Sequence, residues 1–208
     1  MATVVFIHGL WMPGFDMALL RRRVHRCGYK VQQFHYSTVR KTPYEAAIEL
    51  HDFLHKIEEK PIHIVAHSLG GLVARHLLHQ YPNQVDGKII TLGTPHQGSQ
   101  IAELFMQTRF GSVLLGKSIE QGLLGHAPSW QANQKLGIIA GEGRMGVGRF
   151  FKHSKEPFDG TVAVSETKLE GMSDHITINS SHSGLLFNKT VAKQVCNFLE
   201  HGHFQHNK

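Results

Sequence analysis

The chain has 208 residues, of which 41% are hydrophobic and 18% are charged. This composition fits one compact globular domain and excludes a low-complexity disordered chain. The 22 lysines and arginines exceed the 16 acidic residues, so the formal net charge is +6. A basic surface and a polyanionic partner both fit that charge, so the charge alone does not indicate a function. The 17 histidines are an excess, and only their positions can identify a catalytic one.

The two cysteines and the start of the chain bear on its cellular location. Cys27 and Cys196 are too few for a disulfide scaffold and form no C-x-x-C pair, so we expect free thiols. The chain opens on an apolar run that goes straight into Gly9, without the charged start and cleavage site of a secretory leader. No apolar stretch approaches the roughly 20 residues of a membrane-spanning helix. We therefore expect a cytoplasmic protein.

Short apolar runs alternate with amphipathic segments along the chain. The first run, at 3–7, is β-branched and continuously hydrophobic, which is typical of a strand buried on both faces of a parallel sheet. Further strands are predicted at 31–36, 62–66, 87–92, 137–140 and 176–178. Helices are predicted within 15–27, 43–57, 72–78, 101–105 and 188–199, and a loop at 141–157. This alternation predicts an α/β sandwich with right-handed parallel crossovers, in a single domain that spans 1–208.

The strongest local signal is the segment Ala-His-Ser-Leu-Gly-Gly at 66–71, a variant of the G-x-S-x-G motif. It lies between a predicted buried strand and a predicted helix, which is the setting of a nucleophile elbow. The sharp turn needs small residues two before and two after the serine, and Ala66 and Gly70 meet this requirement. Ser68 is therefore the predicted nucleophile, and its alternative role is that of a helix N-cap.

A serine hydroxyl needs a neighbouring base, and the base needs an acid that orients it. Among the histidines, His182 follows the last predicted strand and precedes the last helix. Its loop can therefore reach back to Ser68 from the carboxyl edge of the sheet. His175 competes, but it stands at the entrance of the strand, which is the opposite edge. We predict His182 as the base.

The acid is expected between the serine and the base in the chain. Asp159 follows the strand at 137–140 and precedes Gly160, a pair that favours a turn with an exposed carboxylate. It also gives the order serine, aspartate, histidine that accompanies this elbow. Asp174 shares the unfavourable position of its histidine neighbour, and Asp86 is expected on a solvated surface. We predict Asp159 as the acid.

Attack by a serine also requires N–H donors that stabilise the developing oxyanion. The first strand ends in His-Gly, which lets the chain bend so that the N–H of Leu10 faces the nucleophile. The helix that follows the serine offers the N–H of Leu69. We expect His8 and His67 to be packed structural residues.

Taken together, these segments resemble the small bacterial lipases and esterases of the α/β-hydrolase superfamily, which have little or no cap domain. The matching stretches, distributed along nearly the whole chain, are residues 4–10, 64–71, 92–99, 159–162 and 182–186. The resemblance implies a catalytic triad of Ser68, Asp159 and His182 and an oxyanion hole from the backbone of Leu10 and Leu69. It also implies a three-layer α/β/α sandwich with a mainly parallel sheet of about six strands.

The resemblance further implies a carboxylic ester hydrolase that passes through an acyl-enzyme. A thioesterase or an amidase would use the same triad, and a non-catalytic hydrolase-fold binding protein would be expected to lack one of its members. Apolar residues within 100–130 are expected to form a short lid or pocket wall, or else to complete the core. A small acyl ester is the expected partner, and transient contact with a lipid or membrane surface is compatible with the sequence.

Two other patterns invite ligands. The arginines within 21–26 lie on one predicted helix without interleaved aromatic residues, so we expect a solvated basic face and no nucleic acid. His201, His203 and His206 could hold a metal but lie in a polar tail, so no metal site is expected there. No glycine-rich turn with a phosphate-binding pattern precedes a helix, so no cofactor is expected.

Overall fold

The structure is a computed structural model that describes residues 1–143 and 156–206, with a six-stranded sheet at its centre. The strands are β1 (Thr3–Ile7), β2 (Lys30–Phe34), β3 (Ile62–His67), β4 (Ile89–Leu92), β5 (Leu136–Gly141) and β6 (Asp174–Ile178). They lie in the order β2-β1-β3-β4-β5-β6, and every neighbouring pair of this sheet is parallel. The predicted parallel sheet is confirmed. Most of the loop predicted at 141–157 lies outside the described residues.

Most helices of the described residues lie close to the predicted segments, but the helices at 111–115 and 164–167 were not predicted. The helices are α1 (Ala18–His25), α2 (Pro43–His55), α3 (Leu69–Gln80), α4 (Gln100–Met106), α5 (Gly111–Leu115), α6 (Val164–Thr167) and α7 (Lys189–His201). The start of α2 is well defined because Thr42 and Glu45 form a capping box around it. No helix in this described part has both the length and the apolar character needed to cross a membrane.

Alternate residues of the strands face two separate helical layers. In β1, Val5 and Ile7 pack in the apolar cluster that contains α2 and α3, while Val4 and Phe6 pack in the cluster that contains α1 and α7. Both faces of the strand are therefore buried, which explains its unbroken hydrophobicity. The result is the predicted three-layer α/β/α sandwich.

The two edge strands depart from their predicted bounds by up to two residues. β2 ends at Phe34, two residues before the predicted end, and β6 begins at Asp174, two residues before the predicted start at 176. Edge strands pair on one side only and are partly exposed here, so polar residues such as Asp174 and His175 fit in them. A search for apolar runs therefore misplaces their ends.

The sheet has a topological switch point between β1 and β3. The chain leaves β1 toward α1 on one face and leaves β3 toward α3 on the other face. In sheets of this kind a crevice opens at the carboxyl ends of the strands where the direction changes. The segments that contain Leu10 and Ser68 border this crevice.

The segment between β4 and β5 packs over the start of α3. Its α4 and α5 contribute Ala102 and Leu115 to a third apolar cluster, and the turn after the 3₁₀ helix Gly116–Ile119 contributes Leu123. Leu69 and Leu72 are the members of α3 in this cluster. The segment therefore forms a wall beside the switch point.

The two cysteines do not remain free thiols, as the sequence led us to expect: Cys27 and Cys196 form a disulfide. Cys27 follows the end of α1 and Cys196 lies in α7, and these helices contact each other on the same face of the sheet. Their Cα atoms are 6.3 Å apart, within the range of disulfides. The cysteines are 169 residues apart in sequence, so only the packing of the helices brings them together.

Replacing Cys27 with serine is expected to lower the free energy of unfolding by about 2–5 kcal/mol, because the bond restricts a long loop of the unfolded chain. Denaturant unfolding followed by circular dichroism without reductant measures the difference. With reductant the variant and the wild type should be equally stable, which is the control. Equal stability without reductant would contradict the prediction.

Candidate active site

Ser68 occupies a sharp turn between β3 and α3. Its φ of 52° and ψ of −123° lie in a region that non-glycine residues rarely adopt and that costs free energy to hold. The Ser68 N–H donates to the carbonyl of Leu92 at 2.9 Å, and its carbonyl accepts from the Thr94 hydroxyl at 2.9 Å. The Ser68 side chain does not cap α3, so the alternative N-cap role is not observed.

Small residues around Ser68 permit a close approach of α3 to β1. A Cβ atom on Gly70 would lie 2.6 Å from the carbonyl oxygen of Ile7 and 2.8 Å from that of His8. Ala66, two residues before the serine, pairs with Ile7 in the sheet and is fully buried. Alanine therefore fits at the first small position of the motif, while glycine is required at the second.

Asp159 and His182 lie side by side although β6 separates them in the chain. The Nδ1–H of His182 donates to Oδ2 of Asp159 at 2.7 Å. The other carboxylate oxygen accepts from the backbone N–H groups of Thr161 and Val162 at 2.9 and 2.7 Å. The backbone N–H of His182 also donates to the carbonyl of Asp159 at 2.9 Å. Asp159 is only 1% exposed, so the carboxylate is held in place away from solvent.

Two glycines leave room for this pair. Gly93 has a φ of +56°, and a Cβ atom there would lie 3.0 Å from Nδ1 of His182 and 3.1 Å from Oδ2 of Asp159. A Cβ atom on Gly141 would lie 2.6 Å from that of Asp159. Asp159 and His182 therefore fit against the ends of β4 and β5 because Gly93 and Gly141 have no side chains.

A cavity of about 270 Å³ brings Ser68 and His182 together at the carboxyl edge of the sheet. Most of its other lining side chains are apolar, and several come from the segment between β4 and β5: Ile101, Ala102, Phe105, Leu115 and Leu123. Leu10 and Met12 line it from the loop after β1. The segment for which we expected a lid or a pocket wall thus lines the cavity.

The N–H groups of Leu10 and Leu69 lie in the two segments that border this cavity. Neither of them donates a hydrogen bond to any of the described residues. The loop of Leu10 is anchored on both sides, because the Tyr36 hydroxyl donates to the carbonyl of His8 at 3.0 Å and the Trp11 N–H donates to Thr38 at 3.2 Å. Two backbone N–H groups without partners among the described residues therefore belong to segments that line the cavity with Ser68.

His67 touches the segment of His182, a contact that the sequence did not reveal. Its Nε2–H donates to the backbone carbonyl of His182 at 3.1 Å, and the two ring centroids are 4.7 Å apart. Burial, and then the neighbouring His182, hold the pKa of His67 well below its usual value, so the ring is neutral. Only the return of the chain after β6 creates this contact, and no local pattern signals it.

The competing residues are engaged elsewhere. His175 lies in β6 with its Nε2 3.0 Å from the Thr167 hydroxyl. Asp174 accepts from the N–H of Phe204 at 2.7 Å, and Asp86 accepts from the N–H of Ile62 at 2.7 Å. None of the three lines the cavity that contains Ser68.

Comparisons with known proteins identify the fold. A family model described as "Domain of unknown function (DUF7379)" matches residues 3–140. A search of curated proteins found no match. Among solved structures, the mature lipase BlEst2 of Bacillus licheniformis is similar with a TM-score of 0.71 and 21% identity, over 88% of this chain and 86% of that one. A structure of the same lipase in its propeptide form is longer, and this chain covers 52% of it, about half of its length.

Two further structures agree with this result. An extracellular alpha/beta-hydrolase from a Paenibacillus species has a TM-score of 0.60 and 16% identity, over 95% of this chain and 97% of that one. The carboxylesterase CesB of Bacillus subtilis has a TM-score of 0.65 and 10% identity, over 97% of this chain and 84% of that one. At these identities the likeness shows the fold, so the α/β-hydrolase fold predicted from the sequence is confirmed.

Replacing Gly93 with alanine is expected to destabilise the protein by about 1–2 kcal/mol through its positive φ and also to displace the ring of His182. Gly28→Ala is the matched control, since Gly28 has a φ of +93° with nothing within 4 Å of the added Cβ atom. Denaturant unfolding and the NMR signals of the His182 ring measure both effects. The prediction fails if the ring signals of Gly93→Ala resemble those of Gly28→Ala.

Proposed function

We propose that this chain, which belongs to the family described as a domain of unknown function (DUF7379), is a serine hydrolase that cleaves carboxylic esters. The observation that carries the proposal is the 2.7 Å hydrogen bond between His182 and the buried Asp159, beside a cavity that also contains Ser68 on its strained turn. These are the elements of a nucleophile, a base and an orienting acid.

The reaction proceeds in two steps. The Ser68 hydroxyl oxygen attacks the ester carbonyl carbon while Nε2 of His182 takes the hydroxyl proton. The tetrahedral intermediate collapses, the carbon–oxygen bond to the alcohol breaks, and His182 returns the proton to the departing alcohol. A water molecule then attacks the acyl-enzyme with the same base, which releases the carboxylic acid and restores Ser68. Asp159 keeps the Nδ1 proton on the imidazole, so that Nε2 faces the reaction.

The backbone donors complete the machinery. Negative charge develops on the carbonyl oxygen during attack, and fixed N–H groups stabilise it more in the transition state than in the ester. Leu10 and Leu69 have N–H groups without partners among the described residues, in segments that border the cavity. Leu69 also begins α3, where the helix dipole is positive.

The apolar lining of the cavity favours an acyl chain as the part of the substrate that binds there. Its polar lining residues are few, and most of the remaining lining side chains are apolar. The proton transfers would also serve a thioester or an amide. We favour the ester because similar folds include proteins named as a lipase and a carboxylesterase.

The location of the protein enters the proposal through its disulfide. Disulfides persist in oxidising compartments and are rare in the reducing cytoplasm. The bond between Cys27 and Cys196 therefore supports action in an oxidising compartment, while the cytoplasmic location expected from the sequence stays a prediction.

Replacing Ser68 with alanine is expected to lower kcat/KM on p-nitrophenyl acyl esters by at least about a thousandfold, because the acyl-enzyme cannot form. Ser112→Ala, on an exposed face of α5, is the matched control and should remain active. Thermal unfolding should show that both variants are folded. Retained turnover by Ser68→Ala, or its labelling by a fluorophosphonate, would overturn the proposal.

Replacing Ala102 with leucine is expected to shift the preference toward short acyl chains, because the larger side chain occupies the cavity. We expect kcat/KM for a long-chain ester to fall about tenfold relative to the acetate. Loss of contact with one or two methylene groups in an apolar pocket has an effect of this size. Glu103→Leu adds the same side chain at the next, exposed position and serves as the control. An unchanged chain-length profile for Ala102→Leu would place the acyl chain elsewhere.

A further inference from the structure

Two histidines of α2 face each other one helical turn apart, away from the cavity of Ser68. His51 and His55 are in i and i+4 positions, which lie above one another on a helix. Their Nε2 atoms are 3.1 Å apart, and their rings are nearly perpendicular, at 89°, with centroids 4.4 Å apart. Neither residue lines the cavity that contains Ser68.

The ring of His51 is held by Tyr81, the residue that directly follows α3. Its ring stacks on Tyr81 with centroids 3.7 Å apart and an angle of 11° between the planes. Nδ1 of His51 is buried and has no partner among the described residues, so Nε2 is the nitrogen that His51 presents to His55. His55 is exposed, so solvent reaches this end of the pair.

Two facing imidazole nitrogens can share a proton, or both can donate their lone pairs to one cation. A neutral imidazole has one N–H donor and one acceptor, so in the first case one ring must present its N–H to the other. In the second case both Nε2 atoms act as ligands, and imidazole is a ligand preferred by several divalent transition metals. The geometry of the pair distinguishes which cations fit.

We infer that His51 and His55 form a chelating site for a divalent transition-metal ion, such as Zn²⁺ or Cu²⁺. With metal–nitrogen bonds of about 2.0–2.1 Å, the 3.1 Å separation gives an angle of about 95–100° at the metal. This angle lies between those of octahedral and tetrahedral coordination. Hard cations such as Mg²⁺ and Ca²⁺ prefer oxygen ligands and do not fit the pair.

The chain supplies two ligands, and water supplies the others. Within the described residues, no group of three or more histidine, cysteine, aspartate or glutamate side chains is arranged to hold a metal. Metal-bound histidines usually donate their second N–H to a protein acceptor, whereas stacking on Tyr81 orients the His51 ring here. The site is therefore an open one, and Cu²⁺ binds it more tightly than Zn²⁺.

Binding would join two consecutive turns of α2 in the folded protein. Unfolding separates the two histidines, so the ion binds the native state in preference and raises its stability. Because α2 packs against α3, this stabilisation extends to the layer that carries Ser68. The site goes beyond the proposed hydrolase function, and its test does not depend on catalysis.

The test uses the full chain, stripped of metal with a chelator, and Cu²⁺ or Zn²⁺ alone as the probe. Isothermal titration should give one tight class of about one ion per chain in the wild type, with at least a tenfold weaker affinity in His55→Gln. His203→Gln is the matched control, because His203 is another histidine paired with a ring neighbour, at 5.9 Å from His201, and it should retain the tight class.

Two further readings secure the interpretation. The electron paramagnetic resonance spectrum of the Cu²⁺ complex should show two imidazole nitrogens in the wild type and one in His55→Gln. Zn²⁺ should raise the melting temperature of the wild type and of His203→Gln by several degrees, and that of His55→Gln by less. Without metal the melting temperatures should agree, since His55 is exposed. Unchanged tight binding in His55→Gln, or its loss in His203→Gln, would overturn the inference.

Discussion

The start of α3 lies so close to the end of β1 that no side chain fits between them. A Cβ atom on Gly70 would meet the carbonyl oxygens of Ile7 and His8 at less than 3 Å. This approach brings the turn at Ser68 beside the loop after β1, and the two backbone donors of the candidate site come from these two segments. Ser68, in this turn, holds a positive φ of 52°, a conformation that costs free energy. The rest of the site is arranged around it.

The parallel sheet then gathers the other components at one edge. The loops after β1, β3 and β4 and the returns after β5 and β6 all lie at the carboxyl ends of their strands. Residues that are up to 115 positions apart in the chain, such as His67 and His182, can therefore form a hydrogen bond. The buried Asp159 is oriented by backbone N–H groups of its own turn, so little depends on neighbouring loops.

The sequence predicts the central strands and most helices because each buries a regular apolar pattern. β1 was predicted at its observed bounds, and the elbow was recognised because a buried strand and an amphipathic helix flank small residues. The start of β6 was missed because an edge strand tolerates polar residues such as Asp174. The pairing of Cys27 with Cys196 and the contact of His67 with His182 were missed because each depends on the packing of distant segments.

The interior histidines have a consequence for the protein in acid. Burial, and then the charge of Lys88, lower the pKa of His63 to about 4, and burial lowers the pKa values of His67 and His96 in the same direction. Above about pH 6.5 these rings are neutral in both the folded and the unfolded chain. Below that pH these histidines bind protons in the unfolded chain but stay neutral in the folded protein, so unfolding becomes coupled to proton uptake. The stability due to these neutral rings is thus present above pH 6.5 and declines toward pH 4, so acidification lowers the free energy of unfolding.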